Sequence, residues 1–67
     1  MNKKELTADI RQQYGNALTR KDACAYLGIS RNTAVRFLAD VPRFRIGERE
    51  YFLATDLAAR IAAAEVG

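Results

Sequence analysis

Three features of this 67-residue chain predict a small α+β fold, mostly α. Two short amphipathic segments are joined by Leu27-Gly28-Ile29-Ser30, the grammar of a helix-turn-helix. After Pro42, residues 43–53 alternate apolar and polar side chains as a β-hairpin does. Residues 2–14 and 55–65 flank these elements as helical stretches. The expected organisation is a single domain, 1–67, with an accessory N-terminal helix over 2–14, the helix-turn-helix over 19–40, the hairpin over 43–53 and a C-terminal helix over 55–65.

Each element has a local reason. From 2 to 14, Leu6, Ile10 and Tyr14 recur every four positions among charged and amide residues, a one-faced helix that Gly15-Asn16 should end. Its narrow stripe reads as a satellite leaning on the core, with a partner-binding helix as the functional alternative. Leu18 precedes Thr19, which can N-cap the next helix with Asp22 as the capping-box acid. Ala23, Ala25, Tyr26 and Leu27 supply that helix's buried side. Gly28 stands where a helix ends in a left-handed residue, Ile29 plugs the turn, and Ser30 can cap the second helix. There Ala34, Phe37 and Leu38 share an inward face that Val41 continues.

In the hairpin, pairing Ile46 with Tyr51 and Phe44 with Leu53 places all four apolar residues on one side and Arg43 and Arg45 outward on the other. Phe52 then falls on the arginine side, so either it packs against the N-terminal helix or the register is off by one residue. Thr55 is the expected cap of the final helix, with Asp56 in its first turn. Leu57 and Ile61 face the core there, and the alanines at 58, 59, 62, 63 and 64 either close the core cheaply or pack against a second copy.

Composition narrows the function classes. With 49% hydrophobic and 28% charged residues the chain is globular. No apolar run approaches the roughly 20 residues that span a bilayer, and the Lys-Lys-Glu start lacks a signal-peptide core, so a cytoplasmic location is expected. Cys24 is the one cysteine and histidine is absent. That disfavours a zinc site, an intrachain disulfide and a thiol catalyst, and Cys24 reads as a packing residue. No carboxylate pair or phosphate-binding glycine loop stands out, so the expectation is a protein that is not an enzyme and takes no cofactor.

The net charge of +3 is modest, but its excess lies in the middle of the chain. Residues 17–40 carry Arg20, Lys21, Arg31 and Arg36 against Asp22 and Asp40, and the hairpin adds Arg43, Arg45 and Arg49 against Glu48 and Glu50. Arg31, Asn32, Val35 and Arg36 form the outer face of the second helix of the motif. Arg to guanine and Asn to adenine are the base pairings their geometry favours. Val35 is explained either by partial burial or by contact with a thymine methyl. Arg20, Lys21, Ser30, Arg43, Arg45 and Arg49 are the candidate phosphate contacts. A charge of +3 implies weak binding by one copy.

The order of elements resembles the small winged-helix domains of phage and transposon excisionases, related in fold to the DNA-binding head of MerR-type regulators. The resemblance rests on Leu18-Thr19-Arg20-Lys21-Asp22-Ala23, Tyr26-Leu27-Gly28-Ile29-Ser30-Arg31-Asn32-Thr33, Phe44-Arg45-Ile46-Gly47 and Asp56-Leu57, and spans residues 18–61. It implies a winged helix-turn-helix that binds double-stranded DNA, with the second helix in the major groove and the wing against the minor groove or phosphates. It also implies cooperative or dimeric association on DNA and a recombinase as a partner. The function it points to is an excisionase, a recombination directionality factor, with a small transcriptional regulator or a protein-interaction module of the same shape as the alternatives. The N-terminal helix is an addition to that pattern, and the wing is less basic than many.

Overall fold

Helix-capping residues punctuate the chain at its bends, and they divide it into four helices and three strands. The computed structural model describes residues 2–65. In order these are α1 (Lys3–Tyr14), β1 (Ala17–Leu18), α2 (Arg20–Leu27), α3 (Arg31–Phe37), β2 (Arg43–Ile46), β3 (Arg49–Leu53) and α4 (Ala54–Ala63). The architecture is α+β, mostly α, with a three-stranded antiparallel sheet in the order β1-β3-β2. It is consistent with a small winged-helix-like fold in which the β2–β3 hairpin is the wing.

The capping chemistry is local. Asn2 caps α1 by accepting from the Glu5 amide at 2.8 Å, and Gly15 ends it with φ 87°. Thr19 and Asp22 form a reciprocal capping box at the start of α2, each side chain accepting from the other's backbone amide at 3.1 and 3.2 Å. At the other end Gly28 adopts φ 68°, ψ 35°, and the amides of Gly28 and Ile29 both donate to the Cys24 carbonyl. Ser30 opens α3 two residues later, its hydroxyl accepting from the Thr33 amide at 3.2 Å.

The core joins Leu6 and Ile10 of α1, Leu18, Ala23, Ala34, Leu38, Val41, Phe52 and the Ala54, Leu57 and Ala58 face of α4. The expectation that α1 is only a satellite is corrected here. Its most extensive partner is α4, and Ile10 is completely buried. Small alanines on α4 allow the close approach that lets so short a stripe be covered. The same packing removes Leu6 and Ile10 from any partner-binding surface. A second tie runs from α1 to α2, where the Tyr26 hydroxyl donates to Asp9 at 2.5 Å and the Tyr14 and Tyr26 rings meet edge to face at 6.2 Å.

Four other expectations change. Ala25 is exposed, because the buried side of α2 runs through Ala23 with Cys24, Tyr26 and Leu27 half-buried beside it. Phe37 is half-buried rather than fully inward, with the Arg60 guanidinium over its ring. The last helix begins at Ala54 and ends at Ala63, so Thr55 lies inside its first turn. Leu53 occupies the cap position with no side-chain hydrogen bond, because β3 runs directly into the helix and the Ala54 amide is satisfied by the Asn16 carbonyl at 2.8 Å.

The fourth change is the register of the wing. Phe44 stands opposite Tyr51 and Ile46 opposite Arg49, not Ile46 opposite Tyr51. Only Gly47 and Glu48 remain in the turn, and a positive φ of 63° at Gly47 alone is the signature of a type II′ hairpin. The shift is two residues, so each side chain keeps its side. The arginine side, expected outward, is the inward one, with the Arg43 guanidinium over the buried Phe52 ring. Phe52 pairs with Leu18 of β1 as well as with Arg43, and both Phe52 and Leu18 are buried.

Candidate nucleic-acid interface

The exposed surface of α3 follows from its burial pattern. With Ala34 and Leu38 inward, Arg31, Asn32, Val35 and Arg36 are all exposed, Val35 to 47%. Val35 is thus accessible for contact while about half of its surface is covered at the edge of the stripe. Ser30 is the cap of α3, and its hydroxyl also donates to the Thr33 hydroxyl at 3.0 Å.

Folding gathers five of the six candidate phosphate contacts, all but Ser30, into two adjoining grooves. One, of about 530 Å³, is lined by Thr19, Arg20, Lys21, Arg31, Arg49 and Glu50, so it joins the starts of α2 and α3 to β3. The other, of about 260 Å³, is lined by Arg20, Arg43, Arg45, Glu48, Glu50 and Phe52 beneath the inner side of the wing. Arg20 and Glu50 belong to both. Together the walls hold six cationic side chains and two carboxylates, and these eight residues come from four elements and the wing's turn. Glu50 is engaged by its cross-strand neighbour Arg45 at 3.4 Å, on side chains that are 65% and 49% exposed for Arg45 and Glu50. An exposed pair of this kind is weak and easily exchanged for another partner.

The candidates do not all stand alike. Arg31 is brought beside Arg20, Lys21 and Arg49, whereas Asn32, Val35 and Arg36 lie outside both grooves. Arg43 has a task within the fold. Its guanidinium donates to the Leu38 carbonyl at 3.2 Å and lies over the Phe52 ring at 5.4 Å. That leaves Arg20, Lys21, Arg45 and Arg49 as the more available cations.

Arg43 has a counterpart that the sequence did not single out. Arg60 of α4 donates from Nε to the Phe37 carbonyl at 2.9 Å, its guanidinium 4.2 Å over the Phe37 ring. Two arginines from other elements therefore satisfy carbonyls at the C-terminal end of α3, where the helix dipole is negative. They fix the helix from behind. A separation of 23 residues leaves no local signal for the Arg60 contact.

The packing of Tyr26 shifts its acidity. Desolvation by burial, then the hydrogen bond and negative charge of Asp9, push its phenol up to about 12 from 10.0. The neutral phenol is thus the form that ties α1 to α2. Among the described residues no group of three or more His, Cys, Asp or Glu side chains could hold a metal ion. Among the same residues no helix is long and apolar enough to cross a membrane.

Comparisons of the chain with protein-family models, with curated proteins and with solved structures find no match.

Proposed function

We propose that this protein binds duplex DNA and performs no chemistry on it, reading the major groove with α3 and holding phosphates with the start of α2 and the wing. The observation that carries the reading is the convergence of Arg20, Lys21, Arg31, Arg45 and Arg49 around grooves that border the exposed face of α3. A phosphate backbone is the ligand that such a band of cations suits, and base edges are what exposed Arg31, Asn32, Val35 and Arg36 can read. Within this reading the role is that of an excisionase, a recombination directionality factor acting with a recombinase. A small transcriptional regulator is the alternative biological setting for the same contacts.

A salt titration on random duplex tests the proposal. With roughly five phosphates neutralised, log affinity falls with log salt at a slope of about −4 to −5. Arg36→Ala should cost about 1–3 kcal/mol on a selected site and little on random DNA. A flat salt response would remove the proposal, and equal loss on both DNAs would remove Arg36 as a base reader.

One observation favours a second reading, a protein-interaction module. Phe44 and Tyr51 stack at 5.9 Å on the outer side of the wing, and Ile46 and Leu53 beside them are 61% and 40% exposed. Solution mass with and without duplex DNA separates the two readings. A mass unchanged by DNA at low salt would favour the second.

A further inference from the structure

The charges of α1 are sorted onto two sides of its buried stripe. Leu6 and Ile10 face the core. On one flank the carboxylates are occupied: Asp9 accepts from Tyr26 of α2 and from the Gln13 amide at 3.1 Å, and Glu5 accepts from Asn2. On the other flank Lys3, Lys4, Thr7, Ala8 and Arg11 join Thr55 of α4 to line a groove of about 520 Å³. Its walls carry three cations and no carboxylate. It shares no lining residue with the grooves around α2, α3 and the wing.

Helix geometry sets the direction of this groove. Asp9 lies two residues from both Thr7 and Arg11, so at 3.6 residues per turn it projects about 200° from each. Asp9 on the opposite flank meets α2, as does Tyr14 at the C-terminal end of α1, so what separates this groove from the helix-turn-helix is that its lining shares no residue with the grooves there. From Lys3 to Arg11 the helix advances about 12 Å. Along a duplex axis that is about three to four base-pair steps at roughly 3.4 Å each, so the lysines at one end of the row and Arg11 at the other reach separate phosphates of a polymer backbone rather than one phosphate group.

We infer that the α1–α4 groove is a second phosphate-backbone site, which takes a duplex segment other than the one held by α3 and the wing. The inference rests on the DNA-binding reading above. It makes one copy a bridge between two segments, with the cations of a chain of net charge +3 divided between two surfaces.

A capture assay tests it. The intact protein is loaded on an immobilised short duplex of random sequence at low salt, and a fluorescent second duplex is then added. The wild type should be retained and should capture the second duplex. A Lys3→Gln, Lys4→Gln, Arg11→Gln variant changes three exposed positions to a residue of similar helix propensity. It should be retained with an unchanged salt slope yet lose capture. Capture that persists in the variant, or is absent from a retained wild type, overturns the inference and leaves the proposed function standing. So does a variant whose retention and salt slope fall, since the groove would then belong to the first duplex. A wild type that is not retained at all overturns both.

Discussion

The turn between α2 and α3 and the turn of the wing each depend on one glycine of positive φ, Gly28 at 68° and Gly47 at 63°. They differ in what surrounds them. Around Gly28 the structure is completed by contacts that each span three to five residues: Thr19 with Asp22 and Ser30 with Thr33 cap the two helices, and the Cys24 carbonyl receives the amides of Gly28 and Ile29. Around Gly47 local chemistry fixes the turn but leaves open which side of the hairpin is buried. That choice belongs to β1, whose Leu18 pairs with Phe52 and draws the arginine side inward. Helix α3 is therefore built by nearby caps, whereas the wing is oriented by a strand whose partners in β3 lie more than thirty residues away in sequence.

Breaking the distant anchor should have the largest effect. Phe52→Ala removes a ring that is 3% exposed and should cost about 3–5 kcal/mol, enough to unfold so small a protein, whereas Ile46→Ala on the outer side should cost about 0.5 kcal/mol or less. Urea denaturation distinguishes them, and equal losses would mean that the outer side is the one buried.

Next in size is the tie between α1 and α2. Tyr26→Phe leaves Asp9 without its hydroxyl donor and should cost about 1.5–3 kcal/mol, the range for hydrogen bonds to charged groups. Because the folded state holds the phenol proton more tightly than the unfolded chain does, the contribution is complete below pH 10.0. It is lost as pH rises toward about 12. Phenolate absorbance should show one late titration that Tyr26→Phe abolishes; a wild-type profile identical to that of the variant apart from one ordinary phenol would contradict the assignment.

A smaller loss sharpens the local half of the comparison. Thr19→Ala opens the capping box and should cost about 0.5–2 kcal/mol by thermal or chemical denaturation, while Thr19→Ser should recover most of it. The smallest change in stability belongs to Arg45→Ala. Losing its exposed pair with Glu50 should cost roughly 0.5 kcal/mol or less, yet the salt slope of DNA binding should fall by about 1. A large loss of stability with an unchanged slope would make Arg45 a structural residue.

What could be read from residues alone follows how far each interaction reaches along the chain. Thr19, Asp22, Gly28 and Ser30 act within a helical turn or two, so the helix-turn-helix and its outward residues Arg31, Asn32, Val35 and Arg36 were legible before any coordinates. Alternation over 43–53 and the closing helix were legible for the same reason. The two-residue strand β1 was not, since Ala17-Leu18 is too short to show a period and gains meaning only beside β3. Nor were the duties of Arg43 and Arg60, which look like surface cations until the carbonyls at the end of α3 come within reach.

The sequence by itself thus determined the helices, the caps of α2 and α3 and the presence of a hairpin, because capping, left-handed glycines and side-chain periodicity are properties of neighbouring residues. Tertiary structure alone decided the inward side of the wing, the weight of α1 in the core and the gathering of cations from separate elements into one band. Those depend on which surfaces exclude water together, and burial is shared by residues far apart in the chain.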